Sequence, residues 1–307
     1  MRQEAPRMIL APSNLGLRPL REGHVPGTWR APAALMDAGL GEVLAGSSTT
    51  SIPPPPYTHL PVEGTRLRNG VEMRRFNLEL ADQVGRSWDG QQFSLVIGGD
   101  CSILLGCLAG VRRSEPVKLL HIDGHSDFRH PGNYDPSTTL GAVAGMDLAM
   151  ATGRGEATMV EWPGVTGPLV NDQDVVQLGE RESRDPDWPW PDVLDSSITV
   201  IDVFEAQAIG PAGVSQRIDS VFGPGSKPAV WIHFDVDVLD QSVMPAVDSP
   251  GSPGLSASFL ESVVRDVISR YRCCGMTVTV FDPDLDPDGS YARFIVQLIR
   301  HMLQDLV

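Results

Sequence analysis

Three short apolar runs in this chain are each followed directly by a group of acidic residues. The runs are SLVI, VKLL and AVWI, and the groups that follow them are GGDCS, HIDGHSD and HFDVDVLD. Such runs are typical of buried strands in a parallel sheet. In open α/β sheets, ligands bind where the carboxyl ends of the strands meet the loops. We therefore expect the three acidic groups to line a single pocket.

These groups carry side chains that bind metal ions. The candidate ligands are Cys101, Asp123, His125, Asp127, Asp235 and Asp237. Several carboxylates at the rim of an apolar sheet would repel each other, and divalent cations would remove that repulsion. Carboxylates from separate strands could bridge two ions about 3.5–4 Å apart, and such ions lower the pKa of bound water. The sequence therefore predicts a shared metal site, which could hold two ions.

The segment DGHSD must bend for its ligands to share that site. Asp123, His125 and Asp127 lie on one face of an extended chain because side chains alternate. The two ends of such an extended segment would be roughly 13 Å apart. The ligands therefore converge only if the segment curls into a loop, and we expect Gly124 to permit that bend.

Predicted strands alternate with predicted helices along the chain. This alternation is typical of an α/β fold with a mostly parallel sheet and helices on both faces. Residues 138–152 are small and apolar and predict one of the helices. Ser258 and Glu261 form an S-x-x-E capping box, which predicts the start of another. No repeat or linker divides the sequence, so we expect residues 1–307 to form a single domain.

The charge balance excludes one class of partner. Asp and Glu number 39 against 24 Lys and Arg, a net charge of −15, whereas nucleic-acid binding needs a basic face. The first residues, MRQEAPRMILAPSN, contain no apolar signal core, and no apolar run is long enough to span a membrane. The four cysteines form no disulfide framework, and reduced thiols are typical of the cytoplasm. We expect a cytoplasmic protein that binds neither nucleic acid nor membrane.

Three further histidines lie close in sequence to the candidate ligands. His130 follows DGHSD closely enough to reach a substrate, although a packing role is the simpler interpretation. His121 and His233 precede their motifs and alternate away from the ligands, so the pattern favours core positions beside the site.

The acidic motifs resemble those of a known family. GGDCS, DGHSD and FDVDVLDQSVMPAVDSPGSPGLS are similar to the GGDHS, DAHxD and SFDxDxxDP motifs of the arginase–agmatinase family of ureohydrolases. The similarity runs from APSNLGL to the last predicted helix. It implies a three-layer α/β/α sandwich, a binuclear centre that is usually manganese, and a homo-oligomer, commonly a trimer or hexamer. It also implies that a metal-bridged hydroxide hydrolyses a guanidino C–N bond to urea and an amine.

The resemblance assigns roles to individual residues. It implies that one ion is bound by Cys101, Asp123, Asp127 and Asp235. It implies that the second ion is bound by His125, Asp123, Asp235 and Asp237, so that Asp123 and Asp235 bridge the two. Asp127 would also be catalytic, accepting a hydrogen bond from the hydroxide and passing a proton to the leaving amine.

Cys101 stands where the family has a histidine. A thiolate is a softer ligand and favours Zn²⁺, Fe²⁺, Co²⁺ or Ni²⁺ over Mn²⁺. Four aspartates and a thiolate also bring five negative charges, against four positive charges from two divalent ions. We therefore expect one of the two sites to bind its ion weakly.

Three further positions depart from the family pattern. Ala144 replaces the histidine of an HG step that is thought to relay protons, so His130 or water would serve as the catalytic relay. Val280 replaces the glutamate that binds the guanidinium. In the loop LGERESRDP, Glu182 and Arg184 occupy the region that binds the amino end of the substrate. We hypothesise that Arg184 binds a substrate carboxylate; a surface arginine is the alternative.

The leading interpretation is a metal-dependent amidinohydrolase that acts on a small arginine-like guanidino compound. Because the guanidinium-binding glutamate is absent, a less basic N-hydroxyguanidine is a candidate substrate. One alternative is a catalytically weak or inactive family member that binds a ligand or stabilises a partner subunit. Another is a hydrolase of a different non-peptide C–N bond, such as a formimidoyl or acyl amide.

Overall fold

One parallel sheet forms the centre of the fold. The computed structural model describes residues 6–44, 46–223 and 228–306. Its strands are β1 (Arg7–Ala11), β2 (Ser48–Ser51), β3 (Ser94–Gly98), β4 (Val117–Ile122), β5 (Val175–Leu178), β6 (Thr199–Ile201), β7 (Ala229–Asp235) and β8 (Cys273–Thr279). They lie in the order β2-β1-β3-β8-β7-β4-β5-β6, and each neighbouring pair is parallel.

Helices cover both faces of the sheet. They are α1 (Ala31–Asp37), α2 (Leu40–Val43), α3 (Gly70–Asp89), α4 (Ile103–Arg112), α5 (Asp147–Ala151), α6 (Ala157–Val160), α7 (Val203–Phe222), α8 (Ala257–Arg270) and α9 (Ser290–Leu303). Helices α1, α2, α7, α8 and α9 pack in one core, and α3 to α6 pack in the other. The predicted three-layer α/β/α sandwich is confirmed. No helix in the described ranges is long and apolar enough to cross a bilayer.

The central strands are apolar on both faces because both faces are covered. Leu95 and Ile97 of β3 pack in one core, and Val96 between them packs in the other. In β4, Leu120 packs in the first of these cores and Leu119 packs in the second. This burial on both sides explains why the strands read as continuous apolar runs without alternating polar residues.

The register of the central strands brings their carboxyl ends to one edge. Ile122 of β4 pairs with Phe234 of β7, and Asp235 of β7 pairs with Thr279 of β8. Strand β3 lies on the other side of β8. The three acidic groups therefore leave the sheet at the same edge, as the sequence predicts, with β8 between two of them.

Two parts of the fold differ from the sequence prediction. The helix predicted over residues 138–152 is mostly loop: Val143–Gly145 forms a short 3₁₀ helix, and only α5 is α-helical. Helix α7 has no counterpart in the prediction, because Gly210, at φ 68°, and Pro211 break its pattern. Residues 1–5, part of the segment expected to lack a signal core and of the expected domain 1–307, lie outside the described ranges.

Helix α8 begins before the predicted capping box. Ser256 is its N-cap, and the Ser256 hydroxyl accepts a hydrogen bond from the backbone N–H of Phe259 at 3.3 Å. Ser258 lies within the first turn, with its hydroxyl 3.3 Å from that of Ser256. The box formed by Ser258 and Glu261 is therefore wrong as a start signal, and Glu261 instead pairs with His301 of α9.

Replacing the N-cap serine should destabilise the protein more than replacing its neighbour. We expect Ser256→Ala to lower the free energy of unfolding by about 1 kcal/mol, because a first-turn N–H loses its acceptor. Ser258→Ala is the matched control and should lower it by less than about 0.5 kcal/mol. Urea unfolding of both variants measures the difference, and equal losses would show that Ser256 is not the cap.

Candidate metal centre

The six candidate ligands line one cavity of about 200 Å³ at the carboxyl edge of the sheet. Cys101 follows β3, the three ligands of DGHSD follow β4, and Asp235 and Asp237 lie at the end of β7. Pockets for drug-sized ligands commonly measure about 300–1,000 Å³. The smaller volume of this cavity suits a small metabolite.

Backbone N–H groups fix the positions of the carboxylates. Asp123 accepts a hydrogen bond from the N–H of His125 at 2.7 Å, and Asp237 accepts one from the N–H of Gly124 at 3.1 Å. Asp235 accepts one from the N–H of Asp237 at 2.8 Å. These bonds leave ligand oxygens free: Oδ2 of Asp123 is buried without a hydrogen-bond partner.

The DGHSD segment bends at Gly124 and His125, as the sequence predicts for Gly124, and its backbone turns again at Asp127. Asp127 has the left-handed backbone conformation, with φ 47°, which aspartate tolerates better than most residues. Gly124 is needed for space, because a Cβ at this position would overlap the guanidinium of Arg181. Arg181 donates a hydrogen bond to the backbone carbonyl of Asp237 and so connects the two acidic loops.

Burial and mutual repulsion oppose ionisation of this cluster. Burial, and then the charge of Asp123, raises the pKa of Asp127 well above its usual range. Burial and then Asp237 shift the pKa of Asp235 in the same direction. Burial likewise raises the pKa of the Cys101 thiol, which lies 2.7 Å from Oδ2 of Asp235. Divalent cations would reverse these shifts because they stabilise the charged ligands.

His125 pairs with Asp237 across the site. Nδ1 of His125 is 2.9 Å from Oδ2 of Asp237. Burial alone would lower the pKa of His125, but Asp237 raises it well above its usual value. Burial alone would raise the pKa of Asp237, but His125 lowers it. The two side chains therefore form an ion pair whose partners are both metal-binding groups.

The donor atoms fit two adjacent metal ions. Cys101, Asp123 and Asp235 offer ligand atoms within 4.8 Å of one another. Asp123, His125 and Asp237 do the same, and Asp123 belongs to both sets. The unpartnered oxygen of Asp123 gives this residue a free ligand atom. The residues present therefore fit a binuclear divalent centre with oxygen, nitrogen and sulfur ligands.

His130 and Arg184, both predicted to be functional, do not line the cavity, whereas Glu182 does. Nε2 of His130 is 2.6 Å from Oδ2 of Asp192, and its Nδ1 accepts a backbone N–H. Arg184 donates two hydrogen bonds to Asp202, at 2.8 and 2.9 Å, and its side chain is 55% exposed. Both side chains are already paired with acids, so their positions do not support the predicted proton relay or carboxylate clamp.

The sequence analysis missed charged residues at the mouth of the cavity. Arg18, Arg129 and Asp248 line it together with Glu182. The guanidinium of Arg129 stacks on the ring of Tyr134, 4.1 Å from its centroid. Arg18 directly follows APSNLGL, Arg129 lies two residues after DGHSD, and Asp248 lies within the family-like stretch after β7. These residues come from separate loops, so no single motif predicts that they meet.

Val280 and Ala144 line the cavity where the resemblance implies polar groups. Val280 has φ 71°, a conformation that is costly for a β-branched residue. Its N–H donates to the carbonyl of Gly99 at 2.7 Å, and such strain persists only where surrounding contacts impose it. An apolar side chain is thus held in a strained conformation in the cavity wall.

Comparison with known proteins defines the class to which this fold and site belong. The Arginase family profile matches residues 20–304, so the chain belongs to the arginase family. The arginase of Bacillus subtilis (strain 168) is 26% identical over 252 residues, which cover 80% of this chain and 82% of that protein. Members of this family are metal-dependent hydrolases with a binuclear centre.

Solved structures share the fold at lower sequence identity. The arginase of Entamoeba histolytica, in complex with L-ornithine, superposes with a TM-score of 0.82 at 21% identity and covers 99% of both chains. The formimidoylglutamase of Bacillus subtilis has a TM-score of 0.73 at 18% identity and covers 97% of this chain and 86% of that chain. These likenesses establish the fold, and the substrate must be inferred from the cavity.

Removing divalent metal with a chelator should destabilise the protein, and more strongly at higher pH. The pKa of His125 is raised, so its pairing stabilises the fold below its unfolded value of about 6.5 and is lost as the pH rises through the raised value. Ionisation of Asp127 and Asp235, whose pKa values are also raised, acts in the same direction.

Thermal unfolding across pH measures this effect. We expect the Tm of chelated protein to fall from about pH 6.5 to about pH 8.5, and added metal to restore more stability at the higher pH. Chelated protein with a constant Tm over that interval would contradict the electrostatic account of the site.

Proposed function

We propose that this protein is a metal-dependent amidinohydrolase that cleaves a guanidino C–N bond of a small arginine-like compound, giving urea and an amine. The main support is the convergence of six ligand side chains from three strands on one small cavity. Mn²⁺ is the first candidate for the ions, and Cys101 admits Zn²⁺, Fe²⁺, Co²⁺ or Ni²⁺.

The metal ions, Asp127 and solvent water would have separate roles in catalysis. Two divalent ions bound by Cys101 and the other ligands would supply Lewis acidity and lower the pKa of a water nucleophile. Asp127 lines the same cavity, so its position suits it to accept a proton from water and donate one to the leaving amine. Because Asp192 pairs with His130 away from the cavity, solvent water would carry further protons.

The charges at the mouth fit a zwitterionic amino acid. Arg18 and Arg129 offer guanidinium groups to a carboxylate, and Glu182 and Asp248 offer carboxylates to an ammonium group. Burial raises the pKa of both acids, and a bound cation would favour their charged forms. The substrate we infer has its guanidino group at the metal centre and its amino acid end at the mouth. L-Ornithine, bound in the E. histolytica arginase, has the same zwitterionic amino acid end.

Val280 favours a substrate whose head group is less basic than a guanidine. An apolar side chain at this position of the wall gives no charge complementarity to a guanidinium ion. An N-hydroxyguanidine is less basic and needs less complementarity. An N-hydroxy-L-arginine-like compound is therefore a substrate candidate beside L-arginine.

A formimidoyl C–N bond is the second candidate target, supported by the fold shared with formimidoylglutamase. A non-catalytic partner subunit is less well supported, because the carboxylate and histidine ligands are all present. The proposal also includes a single domain, supported by one continuous sheet. A homo-oligomer, by family resemblance, and a cytoplasmic location, by the buried free cysteines, complete it.

Urea release from a panel of guanidino compounds tests the proposed activity. With metal-loaded protein we expect urea from L-arginine or N-hydroxy-L-arginine, and less from agmatine and guanidine. Asp127→Asn should reduce kcat by at least about 100-fold, because general acid–base catalysis contributes that much. Release of formamide from a formimidoyl amino acid, with no urea from any guanidino compound, would favour the formimidoyl alternative, and no product from fully loaded protein would contradict an enzymatic role.

Replacing an arginine at the mouth of the cavity should selectively weaken the binding of carboxylated substrates. We expect Arg18→Ala to raise KM for L-arginine or its N-hydroxy derivative by about tenfold, the loss of one charge-assisted hydrogen bond, with little change for agmatine. Arg184→Ala is the matched control and should leave KM unchanged, since Arg184 is paired with Asp202. The reverse result would restore Arg184 as the carboxylate-binding residue.

A further inference from the structure

A second group of titratable side chains is buried directly behind the metal centre. His121 of β4 and His233 of β7 are paired across neighbouring strands, and their rings stack with centroids 4.8 Å apart. Asp147 of α5 lies 3.4 Å from Nε2 of His121 and 3.6 Å from Nε2 of His233. All three side chains are 0% exposed. The proposed reaction uses none of them.

Several polar atoms in this region have no hydrogen-bond partner. They are Nδ1 of His121, Oδ2 of Asp147, Nε2 of His233 and Oδ2 of Asp123. A buried polar atom left unpaired costs about 1–3 kcal/mol, and most such atoms in folded proteins are paired. Two of them belong to His233 and Asp123, whose ligand atoms lie within 4.8 Å of each other, and this pair indicates a site that a cation completes.

The hydrogen bonds of His233 leave its Nε2 as an acceptor. Nδ1 of His233 is 2.8 Å from the hydroxyl of Thr277. That hydroxyl donates its own proton to the carbonyl of Ile232 at 3.4 Å, so it accepts the proton of Nδ1. Nε2 then carries a lone pair, which is the form in which histidine binds a metal ion.

His233 also lies within reach of the cysteine side of the metal centre. Its ligand atom is within 4.8 Å of the ligand atoms of Cys101, Asp123 and Asp235. Together the four residues offer one sulfur, one nitrogen and two oxygen donors, a number and mixture that suit a tetrahedral ion such as Zn²⁺. The imidazole adds a ligand without adding to the excess of negative charge.

We propose that His233 is a metal ligand and that the ion on the cysteine side is bound by Cys101, Asp123, His233 and Asp235, with His233 in the place that the resemblance gives to Asp127. His121 and Asp147 are positioning residues that pack against the His233 ring. The sulfur and the imidazole select Zn²⁺ or Co²⁺ over Mn²⁺ at this position. The inference rests on the binuclear site of the proposed function, and its test measures metal binding instead of urea.

Metal content of the full-length chain is the first measurement. After loading with Co²⁺ and removal of free metal, wild type should retain two ions per chain. His233→Ala and Cys101→Ala should each retain one, with the affinity for the lost ion at least about tenfold weaker, and the double variant should also retain one. His301→Ala, whose side chain is 53% exposed, is the matched control and should retain two.

Spectroscopy gives a second test that does not depend on how His233→Ala folds. In His125→Ala, the ion on the cysteine side should show both a sulfur and an imidazole nitrogen by X-ray absorption. The nitrogen should disappear in His125→Ala/His233→Ala. An ion with sulfur but no imidazole nitrogen in His125→Ala would overturn the assignment, as would two tightly bound ions in His233→Ala. Wild type that holds both ions with these ligands but releases no urea would instead contradict the proposed function.

Discussion

Carboxylates buried at the edge of an apolar sheet repel one another, and the folded site requires that this repulsion be offset. Asp123, Asp127, Asp235 and Asp237 are each less than 10% exposed, and burial with mutual repulsion raises the pKa of two of them. Backbone N–H groups hold Asp123, Asp235 and Asp237 in place without neutralising them. Divalent cations are the counter-charge that this arrangement requires, and the central strands bring the ligands together to bind them.

Much of the fold follows from local sequence. The central strands are predictable because burial on both faces requires continuous apolar runs. Turn residues also flank most of these strands. The parts that escape prediction have identifiable causes. β2 is a polar edge strand of Ser and Thr residues, and α7 carries a Gly-Pro step that normally ends a helix. Most apolar side chains of residues 138–152 are buried, and composition alone does not distinguish such a buried segment from a helix.

The metal ligands are predictable because each group lies within a few residues of a strand end. The remaining site residues depend on packing between distant segments. Spacing could not show that Asp192 and Asp202 would pair with His130 and Arg184, nor that Arg18 would reach the cavity. The expectation that His121 and His233 alternate away from the ligands is wrong, because each lies two residues before an aspartate ligand and so shares its strand face. Only the tertiary structure shows Asp147 between the two histidines.

Anomalous X-ray diffraction from crystals of metal-loaded protein tests the central claim most directly. The account predicts two peaks within the carboxylate cavity, about 3.5–4 Å apart, one beside Cys101 and the other beside His125. Fully loaded crystals without an anomalous peak in the cavity would contradict it, because the carboxylates would then be stabilised by protonation and not by bound cations.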